Sequence, residues 1–163
     1  MGGEGRAVGG AWAPRLAAVD DADELGRLLH DFNTEFATPT PGPDVLADRL
    51  RTLLAGPATF ALLAGSPAVG FALVTLRPNV WYAGPVALLD ELYVVPPLRG
   101  RGVGSSLIEA LVAAALRRGV ALIEVNVDEP DVDAARFYAR HGFRGGDAEA
   151  GDRAFYLSRE LGG

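Results

Sequence analysis

The sequence predicts one α/β domain of the α+β kind, a mixed central sheet of about six to seven strands flanked by about four helices. Three observations predict it. The first half places two helical patterns ahead of β segments joined by short turns, the sign of hairpins. The second half alternates helix and strand, the sign of parallel crossovers, so both kinds of pairing share one sheet. A chain of 163 residues suits a single core, and no internal repeat or composition shift marks a second domain.

Residues 1–13 read as a flexible lead-in and 14–163 as the domain. A short first strand is expected at 15–19. Asp20 and Asp21 then offer capping oxygens to a helix running to about His30 or Phe36, with Leu25, Leu28, Leu29 and Phe32 at helical spacing. The segment Thr38-Pro39-Thr40-Pro41-Gly42-Pro43 must end it, because proline lacks the amide proton and restricts the residue before it. A second helix is expected at 44–54, stopping at Gly56. Strands at 59–64 and 68–76 flank the turn Gly65-Ser66-Pro67, which predicts an antiparallel hairpin. A loop with Trp81, Tyr82 and Gly84 leads to a long β segment at 86–95, stopped by Pro96-Pro97. In the third helix Val103, Leu107, Ile108, Leu111, Val112 and Ala115 form one apolar stripe, closed by Gly119. A β-branched, alternating strand follows at 120–127, then a short helix at 131–140 with Gly142 as its stop, and a last strand at 154–158.

Composition removes several functions. The formal net charge is -6, and all 15 basic residues are arginine. Such a balance does not suit general nucleic-acid binding, which needs a basic field to displace counterions. It would attract an amine, and it also serves plain solubility. With no cysteine, disulfides, thiolate metal sites and a covalent cysteine intermediate are excluded. His30 and His141, the two histidines, lie far apart, so no metal is expected. No signal-like leader and no run of about 20 apolar residues is seen, so a cytoplasmic protein without membrane contact is expected.

The most informative stretch is Leu92-Tyr93-Val94-Val95-Pro96-Pro97-Leu98-Arg99-Gly100-Arg101-Gly102-Val103-Gly104-Ser105. It reads as strand, glycine-rich turn and helix start. Unpaired amides at a helix start carry partial positive charge and suit phosphate oxygens. Gly100, Gly102 and Gly104 remove the Cβ atoms that would hold a pyrophosphate off, and Arg99 and Arg101 add charge. Taken alone, such a turn is either structural or a phosphate site. The Walker loop is excluded because the chain has no lysine. The dinucleotide fingerprint fits poorly, since Ser105 stands where it needs glycine.

The pattern met is Arg-x-x-Gly-x-Gly, by Arg99, Gly102 and Gly104. Here the chain closely resembles the GNAT (Gcn5-related) N-acetyltransferase superfamily, from about Arg15 to the end and most specifically between Leu89 and Phe143. The resemblance implies a single-domain GNAT fold with acetyl-CoA as co-substrate. It places the CoA pyrophosphate on Arg99, Gly100, Arg101, Gly102, Val103, Gly104 and Ser105, and the pantetheine arm along Leu92, Tyr93 and Val94 like an added strand. The family's second signature stands here as Asp131-Val132-Asp133-Ala134-Ala135-Arg136-Phe137-Tyr138, then His141-Gly142-Phe143. Asp131 departs from the usual asparagine; it caps a helix equally well but repels an anionic ligand.

Tyr138 is the implied general acid, because a phenol with pKa near ~10 can share its proton with a departing thiolate of ~8.5. Asp90 and Glu91 are candidate bases for the acceptor ammonium. In a regular strand only one of the two can enter the cleft, and likeness to polyamine acetyltransferases favours Asp90. Phe32, Glu35, Phe36, Trp81 and Tyr82 are the implied acceptor wall, aromatic and partly acidic. Phe32 and Phe36 are expected in the core and Trp81 on an exposed loop. The implied function is acetyl transfer to a primary amine in a ternary complex, the acceptor being a small molecule or a protein N-terminus. The alternative is a catalytically silent CoA-binding sensor of the same fold. A homodimer is a further option, as it is common in the family.

Overall fold

The computed structural model describes residues 10–145 and 157–160. The chain divides into two compact units, Met1–Asn126 and Val127–Gly163.

In the first unit β1 (Pro14–Leu16) leads through a 3-10 turn (Val19–Asp21) to α1 (Ala22–Glu35) and α2 (Pro43–Ala55). Strands β2 (Thr59–Ala64), β3 (Gly70–Arg77) and β4 (Val86–Val94) follow, then a 3-10 turn (Pro96–Leu98), α3 (Val103–Arg117) and β5 (Leu122–Val125). The strands lie in the order β1-β2-β3-β4-β5. Pairing is antiparallel from β1 to β4 and parallel between β4 and β5, so the sheet is mixed as expected. It has five strands among the described residues, not six or seven. Residues 154–156 of the expected last strand lie outside the described residues, and Leu157 and Ser158 belong to no strand. Two strands are also shorter than expected. β1 stops at Leu16 because Val19 already turns toward the helix, and β5 covers only the part of 120–127 that has a partner on β4.

The sheet is covered on both faces. Leu25, Leu28 and Leu29 of α1 and Leu50 of α2 pack with Ala61, Leu63, Phe71, Leu73 and Tyr93. Strand alternation turns Leu62, Ala72, Val74 and Leu89 to the opposite face, where α3 contacts β1 through β4. The buried stripe of α3 is Val103, Leu107, Ile108, Leu111, Ala114 and Ala115. Val112 was expected in it and is instead exposed, since at 100° per residue it falls on the flank where Ala114 does not. Gly26 sets the α1–α2 distance. A Cβ there would stand 2.8 Å from the Ala47 nitrogen and the Pro43 carbonyl oxygen.

The cap expected from Asp21 has a different occupant. Its carboxylate accepts both Arg15 guanidinium nitrogens at 2.7 Å and the Ala18 amide at 2.7 Å, and makes no bond to α1. The pairing holds Asp21 below the usual carboxylate range, chiefly through the Arg15 hydrogen bond.

In the second unit α4 spans Val132–Arg140. Asp131 caps it as expected, its carboxylate accepting the Ala134 amide at 2.9 Å. Phe137, Tyr138 and Phe143 form an edge-to-face chain of rings, with centroids 5.3 and 5.4 Å apart.

Candidate active site

β4 is not a regular strand. Leu73 pairs with Glu91 but Val74 pairs with Leu89, so Asp90 is an inserted residue and the ladder bulges there. The alternation that would send Asp90 and Glu91 to opposite faces is broken. Glu91 shares the face of Leu73 and Thr75, and Asp90 is drawn to that face too, its Oδ2 accepting the Thr75 hydroxyl at 2.6 Å. The expectation that only one carboxylate can enter the cleft presupposes a regular strand, and the bulge removes that premise. Loss of solvent raises both pKa values. For Glu91 the neighbouring Asp90 charge adds to the rise, and for Asp90 the Thr75 hydrogen bond opposes it. Thr75 carries no sequence signal for this role, since register across β3 and β4 is a tertiary fact.

Beyond the bulge, one edge of β4 has no strand partner among the described residues. The parallel ladder with β5 ends at Leu89 and Val125, whereas the antiparallel ladder with β3 continues to Val94. The Val95 amide donates to the Val69 carbonyl at 2.9 Å. Alternation then turns Tyr93 toward β3, and Leu92 and Val94 toward the other edge.

That edge runs into the glycine turn. Gly100 and Gly102 have φ of +72° and +86°, a region that favours glycine, and a Cβ on either would point into open space. Gly102 is also the residue before α3, and its carbonyl receives the first helical amide, from Ser106, at 3.0 Å. The amides of Gly100, Arg101, Gly102, Val103 and Gly104 meet no backbone carbonyl among the described residues. A pyrophosphate fits such a place: bare donors at a helix start, with glycine where a side chain would intrude.

Arg99 behaves differently from the sequence expectation of a phosphate partner. Its guanidinium donates from Nη1 to Glu35 Oε1 at 2.6 Å and from Nη2 to Glu35 Oε2 at 2.8 Å, and from Nε to the Val94 carbonyl at 2.9 Å. It also lies 5.6 Å above the Tyr93 ring. The fork geometry suits a carboxylate, and Glu35 is held below the usual range chiefly by the Arg99 hydrogen bond. Arg101 is exposed on the turn. Glu35 was legible as an acidic residue near the cleft; its partner 64 positions away was not.

The expected acceptor residues divide into two places. Phe32 is partly buried, stacks on Tyr93 at 5.0 Å and meets Phe36 edge-on at 5.3 Å. Phe36 is 59% exposed rather than in the core, because the chain leaves α1 at that residue. Trp81 and Tyr82 lie on the β3–β4 loop, at the other end of β4. Seven residue steps, about 23 Å at ~3.3 Å each, separate Val86 at that end from Tyr93. Trp81 is exposed as expected, and Tyr82 is exposed beside it. Asn79 shapes this loop, accepting the Trp81 and Tyr82 amides at 2.9 and 2.8 Å and donating to the Gly84 carbonyl at 2.9 Å. Asn79 was not among the expected site residues, although asparagine at the start of a turn is a recognisable signal. Tyr138 lies in the second unit, on α4 within its ring cluster.

The described residues contain no group of three or more His, Asp or Glu that could hold a metal ion, and no helix long and apolar enough to cross a membrane.

The chain belongs to the Acetyltransferase (GNAT) family, whose model matches residues 23–143. Among curated proteins it is 32% identical over 76 residues to the aminoalkylphosphonate N-acetyltransferase of Salmonella typhimurium, covering 47% of this chain and 49% of that one. It is 40% identical over 79 residues to the aminoglycoside N(6')-acetyltransferase type 1 of Klebsiella aerogenes, covering 45% and 51%. The chain thus matches about half the length of these relatives. A crystal structure from Arthrobacter sp. FB24 assigned to the acetyltransferases is 51% identical, with a TM-score of 0.84, covering 91% of this chain and 95% of that one.

Proposed function

We propose that the chain moves an acetyl group from acetyl-CoA to a primary amine on a small molecule, by direct transfer with both substrates bound together. One observation carries this reading: past Leu89 the β4 edge has no strand partner among the described residues, and it runs from two carboxylates at the bulge to a turn whose amides at 100–104 meet no backbone carbonyl among those residues. Membership of the family supports acetyl transfer, and both curated relatives are named for acetylating amino compounds.

In this reading acetyl-CoA supplies an activated acyl thioester. The amides of residues 100–104 hold its pyrophosphate, and Leu92 and Val94 pair with its pantetheine arm. An outward amide of β4 donates to the thioester carbonyl oxygen, where charge develops; removing one such donor elsewhere costs roughly 2.7–4 kcal/mol. Asp90 takes the ammonium proton of the acceptor on Oδ1, with Thr75 fixing Oδ2, and Glu91 is the second base beside it. The neutral amine forms the new C–N bond as the C–S bond breaks, and the extra proton then left on the amide nitrogen passes to Glu91 or to solvent. Tyr138 gives its phenolic proton to the departing sulfur, a role resting on the match of α4 to the family's second signature.

Thiol release from acetyl-CoA across a panel of polyamines, aminoglycosides, aminoalkylphosphonates and peptides tests the proposal. At least one small amine is expected to give turnover. Acetyl-CoA binding with no release from any acceptor would turn the reading toward a silent CoA-binding protein. Tyr138→Phe is expected to lower kcat by ~100-fold or more with little change in CoA affinity. Wild-type turnover in that variant removes Tyr138 from the acid role.

A further inference from the structure

The Glu35–Arg99 pair stands in an unfavourable place for a merely stabilising contact. Glu35 is the last residue of α1, where the helix's own partial negative charge opposes a carboxylate, and no basic residue lies in that last turn. Two residues on, Ala37 holds φ at +52°, a region that side chains resist. Arg99 compensates by holding Glu35 with two short charge-assisted bonds of 2.6 and 2.8 Å. The same planar group holds the Val94 carbonyl at 2.9 Å and covers Tyr93, on which Phe32 stacks. One guanidinium therefore ties together the end of β4, the first residue of the glycine turn and the last turn of α1.

We propose that Glu35 and Arg99 are positioning residues that couple occupancy of the 99–104 turn to the geometry of the last turn of α1, so that CoA binding shapes the wall bearing Phe32 and Phe36 for the acceptor. The inference rests on the acetyl-CoA reading above. A ligand that fixes the turn fixes the Arg99 backbone, and the rigid fork passes that constraint to Glu35. By linkage the effect is reciprocal, so ordering of the α1 end by an acceptor would also tighten CoA binding. A lysine at 99 would keep the charge but could not hold Val94 and both Glu35 oxygens from one plane.

Hydrogen exchange with and without saturating CoA tests this on the wild type, Glu35→Gln and Arg99→Lys. One set of reporters is the amides of Phe36, Ala37 and Thr38, which donate to the carbonyls of Phe32, Thr34 and Asn33. The other is the amides of residues 100–104. In the wild type CoA is expected to slow both sets, the α1 set by roughly 10-fold, within the ordinary span of coupling between two sites. In Glu35→Gln slowing at the turn persists and slowing at α1 is lost, and in Arg99→Lys slowing at α1 is lost whatever the change at the turn. Slowing at the turn with none at α1 in the wild type overturns the coupling and leaves the cofactor reading intact. Equal α1 slowing in the wild type and both variants also overturns it. No slowing anywhere at saturating CoA overturns both. A purely structural pair would lower Tm in the variants without separating the two reporter sets.

Discussion

At Asp90 and Glu91 the bulge sets two carboxylates on one face of the sheet, and the loss of solvent there raises both pKa values. A raised carboxylate pKa means the folded state disfavours the charge. The associated stability is present below the unfolded pKa and is lost as pH rises through the higher folded value. At neutral pH, Glu91→Gln should therefore raise Tm or leave it unchanged, and the gain should vanish in acid, as thermal unfolding across pH would show. Asp90→Asn should behave likewise, less its charge-assisted bond from Thr75. If Asp90 is the base, its variant should lower kcat by ~10²–10⁴-fold while Glu91→Gln has the smaller effect. The reverse order in a steady-state comparison would transfer the role to Glu91. Gly102 gives a different residue-scale test. Gly102→Ala meets no clash but must hold a φ of +86°, at a cost of roughly 1–2 kcal/mol. Its methyl group would enter the open space to which the proposed function assigns phosphate, so on that proposal CoA affinity should fall by more than the strain explains, as calorimetric titration beside urea unfolding would reveal.

At the scale of elements, α1 has to satisfy two neighbours. Its middle is pressed onto α2 at Gly26, and its end is tied to the glycine turn through Glu35. Gly26→Ala puts a Cβ against backbone atoms of Pro43 and Ala47, which cannot swing aside as a side-chain tip would. Overpacking of this kind costs about 1–3 kcal/mol, which a urea midpoint should register with an unchanged m value. At the start of α1, Arg15 and Asp21 join β1 to the helix. The depressed Asp21 pKa means that this contribution is present above the unfolded value and is lost as pH falls through the folded one. The periodicity of α1, α2 and α3 was readable because each is amphipathic on its own. The use of Asp21 as an Arg15 partner was not, because serine-like capping and ion pairing draw on the same oxygens and only proximity chooses between them.

For the whole molecule, acetyl-CoA at 100 times its Kd should add ~2.7 kcal/mol of apparent stability, or roughly 5–10 °C in Tm for a chain of this size. No rise in a thermal shift titration would count against the cofactor reading. The sequence by itself determined the element order from β1 to α4, the mixed pairing, the glycine turn before α3, the capped α4 and the family, because each is written in short-range spacing and in residue types whose backbone preferences are local. Only tertiary structure decided that Asp90 and Glu91 share a face, that β4 has no second strand partner past Leu89 among the described residues, that Arg99 serves Glu35, and that Phe32 and Trp81 mark opposite ends of a strand. Those facts depend on register and on contacts between residues distant in the chain. A one-residue slip reverses such facts, and no local pattern records them.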